Sequence, residues 1–275
     1  MNAPPEEQHG GDSRDRSFAG VFRRMGWPVV EALLNLGRAT RFVAAVFLHG
    51  GASLRRPRLI LRQMRLVGVN TLPIILIAGL FVGFVLGLQF YVLLNRYGQV
   101  EFVGAGVALT IFRELGPVCA GLLFVGCACT SMTAAIGLKK SSEQILAMEM
   151  MAVDPLAREL NPRLWAGVLS LPLLTVYFDA VGIAGAYLIA VPQIGIDSGV
   201  FWSVMQQWAK FYDDFVFGVM KGAAFGFVSV SVAVYEGYHC VPTAEGVARA
   251  TTRTVIKGSL AVLGLNFLLT AFMVN

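Results

Sequence analysis

Five long apolar stretches constrain the fold of this chain more than any other feature. They cover approximately residues 72–94, 115–137, 164–191, 213–235 and 256–274. A helix needs about 20 apolar residues to cross a bilayer. Each stretch is continuously apolar and does not alternate, which favours helices over a β-barrel. Only 14% of the residues are charged, against about 25% in soluble domains. The sequence therefore predicts an all-α integral membrane protein with five transmembrane helices.

Positive charge is distributed unevenly among the segments that join these stretches. Most of the 22 Lys and Arg residues fall in the segments 1–71, 138–163 and 236–257. The alternate connections hold only Arg96, Arg113 and Lys210. Such an excess is typical of cytoplasmic loops. We therefore expect a multi-pass protein with a cytoplasmic N-terminus and a periplasmic C-terminus. The net charge of +5 does not indicate nucleic-acid binding.

The N-terminal part of the chain divides into two regions before the first stretch. Residues 1–17 are polar and are expected to form a disordered cytoplasmic tail. Residues 18–71 alternate arginines with apolar groups, and Arg38 and Arg41 interrupt the pattern too often for a span. We expect an amphipathic interfacial helix at the headgroups there, with a soluble helix packed on a partner as the alternative. Residues 72–275 are then the five-helix transmembrane domain.

Two stretches carry glycines at intervals of four residues. The first holds Gly79, Gly83 and Gly87, and the fourth holds Gly218, Gly222 and Gly226. Glycines at this spacing lie on one helix face and let another backbone approach closely. They predict tight packing within the chain, a homodimer seam, or both.

No arrangement of side chains points to catalysis or to a metal. The three His residues are scattered, and the cysteines Cys119, Cys127, Cys129 and Cys240 are expected to be small packing residues. The chain is therefore not expected to be an enzyme by itself, nor to hold a metal or a cofactor.

Two charges lie inside the apolar stretches, and such charges are functional candidates. Asp179 in the third stretch and Lys221 in the fourth lie at nearly the same depth. The sequence predicts an Asp179–Lys221 pair or a shared polar pocket. A pair that only fixes helix register is the alternative.

Arg113 and Glu114 precede the second stretch on its outer side. An arginine there can hold a phosphate through forked hydrogen bonds. The alternative is an ion pair with Glu114 or with a neighbouring helix.

The second stretch ends at Lys139-Lys140 and is followed by a short acidic segment, about residues 141–155. We expect this segment to be a helix at the membrane surface, presented to a soluble partner.

Several motifs together resemble the MlaE family of ABC-transporter permeases, over roughly residues 20–275. They are Glu114-Leu115-Gly116-Pro117, Glu143-Gln144, the run from Met148 to Pro155, Pro162-Arg163, Trp165-Ala166-Gly167-Val168, Ser170 to Thr175 and Ala250 to Val255. The resemblance implies a homodimeric permease of the Gram-negative inner membrane, which moves phospholipid to or from a periplasmic carrier and maintains outer-membrane lipid asymmetry. The implied partners are a cytoplasmic ABC ATPase that binds ATP and Mg²⁺, a small STAS-domain protein and a periplasmic hexamer of MCE-domain subunits.

The resemblance also implies roles for individual residues. The ATPase would contact a coupling helix through Glu143, Gln144, Met148, Glu149, Met151 and Asp154. An outward-open lipid pocket at the dimer interface would be lined by Leu86, Leu93, Leu94 and Tyr97, with Arg113 and Glu114 near the lipid head. Import and export of lipid could use the same cleft.

The chain departs from the family pattern in the second stretch. Family members usually carry Gly-Arg-x-Gly there and an acidic residue before Ile-Gly. This chain has Gly126-Cys127-Ala128-Cys129 and Ala135 instead. The usual arginine and the usual acidic residue are both absent, which is consistent with the loss of an ion pair between them.

Two other classes of function compete with a permease. An ion-coupled secondary transporter would use Asp179 and Lys221 as a relay, and a membrane scaffold would recruit partners without transport. An odd number of spans without an inverted repeat disfavours the secondary transporter.

Overall fold

The computed structural model describes residues 37–38, 40–47 and 57–274, and these residues form helices and short connections with no strand. The fold divides into two units between Ala45 and Val46. In the first unit, residues 37–38 and 40–45 are helical. The predicted tail 1–17, and most of the predicted interfacial helix, lie outside the described residues.

Seven helices make up the described part of the second unit from residue 57 onward. Their bounds are Arg58–Asn95 (α1), Val100–Ser141 (α2), Gln144–Met150 (α3), Leu156–Ala190 (α4), Ser198–Trp208 (α5), Asp214–Tyr238 (α6) and Ala244–Val274 (α7). Five of them, α1, α2, α4, α6 and α7, are long and apolar enough to cross a membrane. The prediction of five spans in an all-α protein is confirmed.

The spanning helices extend beyond the predicted apolar stretches. Helix α2 begins at Val100, so the expected outer loop is mostly helix, and α7 begins at Ala244. We call the side with the α2–α4 and α6–α7 connections the basic end, because it carries Lys139, Lys140 and Arg249. The opposite side, with the α1–α2 connection and α5, is the far end.

Both sets of glycines pack within the chain. A Cβ on Gly83 would overlap the carbonyl oxygen of Gly182 in α4, and one on Gly218 would overlap that of Phe112 in α2. A Cβ on Gly226 would lie 3.0 Å from the carbonyl oxygen of Gly167 in α4. The packing interpretation is therefore confirmed, and α4 lies between α1 and α6.

Prolines coincide with places where the helices widen into π turns. The π turn Arg65–Val69 in α1 ends four residues before Pro73, and the π turn Ile111–Leu115 in α2 lies just before Pro117. Proline lacks an N–H and its ring clashes with the carbonyl four residues earlier, so the local helix must adjust. These turns free backbone carbonyls for other partners.

Helix α5 closes the far end over an apolar cluster. Phe201 is buried against Val103, Val107 and Ile111 of α2. The carboxylate of Asp197 caps α5 by accepting a hydrogen bond from the Val200 N–H at 3.0 Å. Trp202 and Trp208 remain partly exposed, as residues of an interfacial belt would be.

Candidate functional site

A polar cluster joins α2, α6 and α7 near the far end. The Lys221 ammonium contacts Oε1 of Glu114 at 3.2 Å and Oγ1 of Thr270 at 3.0 Å. Glu114 also accepts hydrogen bonds from the Thr270 hydroxyl at 2.9 Å and from Nδ2 of Asn266 at 3.1 Å. Lys221 is buried, whereas the Glu114 side chain is 37% exposed. In this cluster the partly exposed Glu114 carboxylate therefore accepts hydrogen bonds from several donors, one of which is the buried Lys221 ammonium.

The backbone of α2 completes the set of Lys221 partners. Pro117 has no N–H, so the carbonyl of Arg113 lacks the donor that a regular helix would supply. Nζ of Lys221 donates to that carbonyl oxygen at 2.8 Å. An unpaired carbonyl inside a membrane costs about 2–7 kcal/mol, because no water is present to replace the missing donor. Lys221 thus supplies the hydrogen bond that the proline removes.

The predicted ion pair between Asp179 and Lys221 is wrong. Lys221 is engaged by α2 and α7, and neither carboxyl oxygen of Asp179 has a hydrogen-bond partner within the described part of the chain. Asp179 lies against Gly116 instead, where any Cβ would overlap its Oδ1. The depth estimate could not reveal that the two residues contact different sides of the same turn of α2.

Arg113 forms an ion pair with the neighbouring helix α6. Its Nε donates to Oδ1 of Asp214 at 2.6 Å, and Oδ2 of Asp214 accepts the Lys210 N–H at 2.9 Å. Asp214 is buried, but the Arg113 side chain is 48% exposed. Of the sequence alternatives, the pair with a neighbouring helix is the one formed, and part of the guanidinium still faces outward.

Three members of this cluster were not predicted from the sequence: Asp214, Asn266 and Thr270. Asp214 lies just inside a predicted span, and Asn266 and Thr270 stand four residues apart on α7. Polar residues at that spacing share a helix face, and this was the available signal.

The predicted lipid-contacting residues of α1, and Tyr97 just beyond its end, do not share one environment. Leu86 and Leu94 pack partly against the apolar cluster beneath α5. Leu93 and Tyr97 are exposed, Tyr97 to 73%. The exposed side of α1 is largely apolar from Ile74 to Leu93, with Phe81 and Val85 both at least 60% exposed. An apolar surface of this kind requires lipid or another protein against it.

At the basic end, the predicted coupling segment contains the short helix α3. Two residues with left-handed backbone bracket it, Glu143 at φ 58° and Ala152 at φ 56°. Ile145 is its buried anchor. The backbone strain is of order 1 kcal/mol per residue, so the surrounding structure must hold this shape.

The predicted coupling residues lie on the surface of this segment, apart from one. Met148 is half-buried, and the exposed ones are Glu143, Gln144, Glu149, Met151 and Asp154. Large apolar side chains are exposed beside them, with Met150 at 84% and Leu146 at 54%. Asp154 has a local role as well, since its Oδ1 accepts the Leu156 N–H at 2.9 Å.

Ion pairs and hydrogen bonds join α2 and α4, the helices that precede and follow α3, and connect α2 to the end of α6. Lys139 of α2 and Arg163 of α4 both contact Oε1 of Glu159, the latter at 2.5 Å. Nζ of Lys140 donates to the carbonyl oxygens of Tyr238 at 2.7 Å and Cys240 at 3.0 Å. These contacts therefore link α2, α4 and α6 to one another close to the point where α3 joins them in the sequence.

The residues that depart from the family pattern occupy two environments. Cys129 is buried, whereas Cys127 is exposed and, with Ala135, faces a cavity between α1, α2 and α4. No group of three His, Cys, Asp or Glu that could hold a metal occurs among the described residues.

Comparison with known proteins identifies relatives across nearly the whole chain. The sequence profile of the family described as Permease MlaE matches residues 60–272. The intermembrane phospholipid transport system permease protein MlaE of Haemophilus influenzae is 46% identical over 255 residues, which are 90% of this chain and 95% of that protein. A probable ABC transporter permease of Rickettsia typhi is 33% identical over 78% of this chain and 83% of its own length. A probable ABC transporter permease of Synechocystis is 31% identical over 85% of this chain and 90% of its own.

Proposed function

The chain belongs to the MlaE permease family, and on that premise we propose that it is the membrane permease of an ABC transporter for phospholipid. In this proposal it moves phospholipid between the inner membrane and periplasmic carriers and so maintains the lipid asymmetry of the outer membrane. The observation that carries the proposal is the similarity to the Haemophilus phospholipid permease over 95% of that protein. The ATPase subunit is a separate chain that binds ATP and Mg²⁺.

The polar contacts disfavour the secondary transporter. A relay would need Asp179 and Lys221 to exchange an ion, yet Lys221 is held by Glu114, Thr270 and the Arg113 carbonyl. A scaffold would need only the exposed surface at α3. It would give no reason for the half-exposed Arg113 at the far end.

The coupling step proceeds through α3. An ATPase docked on the exposed Met150 and Met151 would displace this helix during ATP-driven closure. Because Lys139 is paired with Glu159 and Lys140 holds the end of α6, the displacement reaches α2, α4 and α6. Helix α2 then carries it to Arg113 and Glu114 at the far end.

The far end supplies what a phospholipid requires. Leu93 and Tyr97 offer an exposed apolar surface for the tails, and Arg113 offers a cation to the headgroup. Leu86 and Leu94 lie behind this surface and support it. Movement of α2 relative to α6 would change the Arg113–Asp214 contact and with it the hold on the headgroup.

The proposed assembly follows the family. Two copies of this chain form a homodimer, with the ABC ATPase and a small STAS-domain protein on the cytoplasmic side and a hexamer of MCE-domain subunits on the periplasmic side. The protein is a multi-pass inner-membrane protein with its basic end in the cytoplasm, so the N-terminus is inside and the C-terminus outside.

The proposal is tested by co-purification from native membranes in mild detergent, followed by mass spectrometry of proteins and lipids. We expect an ATPase, an MCE-domain protein and phospholipid in the wild-type sample. A Glu149→Arg, Met151→Glu variant should lose the ATPase, and Glu101→Arg, an exposed glutamate at the far end, should keep it. Recovery of the chain without any ATPase would overturn the proposal.

A further inference from the structure

A second candidate binding site lies at the basic end, on the other side of the molecule from Arg113. It is a cavity of about 570 Å³ between the first turns of α1, the second half of α2 and the start of α4. None of the residues assigned above to lipid or ATPase contact lines it. Its walls include apolar side chains such as Leu66, Val67 and Met132 as well as polar ones.

The charges around this cavity are predominantly positive. Among the described residues, four cationic side chains line it, Arg62, Lys139, Arg158 and Arg163, against the single carboxylate of Glu159. The Glu159 carboxylate is already shared by two of the cations, since both Lys139 and Arg163 contact its Oε1. The lining therefore holds cationic charge that Glu159 does not neutralise.

Arg163 is the residue best placed to bind an additional anion. Its side chain is deeply buried, with a relative exposure of 5%. Nη2 donates to Glu159, but Nη1 has no hydrogen-bond partner within the described part of the chain. A buried donor without a partner is rare and costly, and a guanidinium offers two parallel N–H groups to a phosphate.

We propose that this cavity binds a phosphate group, with the Arg163 guanidinium as its principal ligand and Arg62, Arg158 and Lys139 supplying the surrounding positive potential. The position favours the headgroup of an anionic phospholipid. The cavity lies where the apolar stretches meet the basic segments, and Leu61, Leu66 and Val69 of α1 are more than half exposed beside it. A soluble phosphate has the same chemistry and is the alternative source.

The chain carries its own reporter for occupancy. Cys127 lines the cavity and is exposed, whereas Cys129 and Cys240 are buried and Cys119 is half-buried. Peptide mapping of the purified complex measures the rate at which N-ethylmaleimide modifies Cys127. This rate should fall when a phosphate-bearing ligand occupies the cavity. Dioctanoyl phosphatidylglycerol and inorganic phosphate are the two probes.

Three variants separate binding from folding. Arg163→Lys retains a cation for Glu159 but loses the two parallel N–H groups of the guanidinium. The probe concentration that halves the rate of Cys127 modification should rise about tenfold, which corresponds to about 1.4 kcal/mol of binding free energy. Ala135→Leu narrows the cavity without altering a charge and should weaken protection. Arg249→Lys is the matched control, because Arg249 also pairs with a glutamate four residues earlier but is exposed on α7. It should behave as wild type.

Each outcome decides the proposal. Protection by phosphatidylglycerol alone supports a lipid headgroup site, and protection by inorganic phosphate as well supports a site that a soluble phosphate can also fill. The absence of protection by either probe overturns the proposal. Protection that is unchanged in both Arg163→Lys and Ala135→Leu overturns it too. Because the readout is thiol protection and not transport or ATPase recovery, failure here leaves the proposed function standing.

Discussion

At the scale of single residues, the motif Glu114-Leu115-Gly116-Pro117 is explained by three separate contacts. Glu114 pairs with Lys221, Gly116 leaves room for the carboxyl group of Asp179, and Pro117 leaves the Arg113 carbonyl to Lys221. One buried ammonium thus serves both a side chain and the backbone. Because the Lys221 ammonium is buried, its loss leaves the Arg113 carbonyl without a donor in a place that water does not readily reach.

We expect Lys221→Met to lower the stability of the protein by about 1–3 kcal/mol, the usual cost of leaving a buried acceptor, here the Arg113 carbonyl, without its donor. Thermal unfolding of the purified protein in detergent measures it. Adding Pro117→Ala should recover about 1 kcal/mol, because the new N–H can donate to the Arg113 carbonyl. Arg249→Met is the control, since Arg249 and its partner Glu245 are both more than 70% exposed, so no buried group loses its partner. Equal losses in Lys221→Met and Arg249→Met would contradict the role given to the Arg113 carbonyl.

The sequence indicated which charged residues belong to the cluster but not which of them contact one another. Glu114, Arg113 and Lys221 were each singled out as charges in or near the membrane. Their partners could not be found, because depth along a helix gives one coordinate and the facing direction depends on how the helices pack. Glu114 was also placed at the edge of a span, whereas α2 begins at Val100 and carries it well inside the helix.

At the scale of elements, the contact between α1 and α4 depends on small residues. Gly83 faces the backbone of Gly182, and Gly185 of α4 faces the backbone of Leu80. Helices in a membrane gain little from the hydrophobic effect on association, so close backbone approach is a principal source of attraction. The four-residue spacing of the glycines predicted such a contact but not which helix would supply it.

Gly83→Ala should therefore destabilise the protein by about 1–3 kcal/mol, because the added methyl must separate α1 from α4. Gly264→Ala, in α7, should cause no loss, since nothing lies within 4 Å of its added Cβ. The fraction folded during titration with a denaturing detergent compares the two. If Gly264→Ala is as harmful as Gly83→Ala, the effect arises from glycine in general and not from the α1–α4 contact.

At the scale of the whole molecule, the apolar stretches predicted the number of spans but not their ends. Helix α2 continues beyond its apolar stretch through Lys139 and Lys140, and α7 starts with the polar turns around Arg249 and Arg253. These ends are helical because they pack on other elements and make local ion pairs, as Arg249 does with Glu245. Hydropathy reports only the apolar part of a helix.

The orientation of the molecule is the last prediction, and it follows from charge alone. The basic end carries Lys139, Lys140 and Arg249, and the positive-inside rule places it in the cytoplasm. In a background with all four native cysteines replaced, a membrane-impermeant maleimide should label Gln99→Cys in spheroplasts of the host. Glu245→Cys, exposed at the basic end, should be labelled only after permeabilisation. The reverse labelling pattern would contradict this orientation. It would place α3 on the side of the membrane opposite the cytoplasm, where a cytoplasmic ATPase could not contact it.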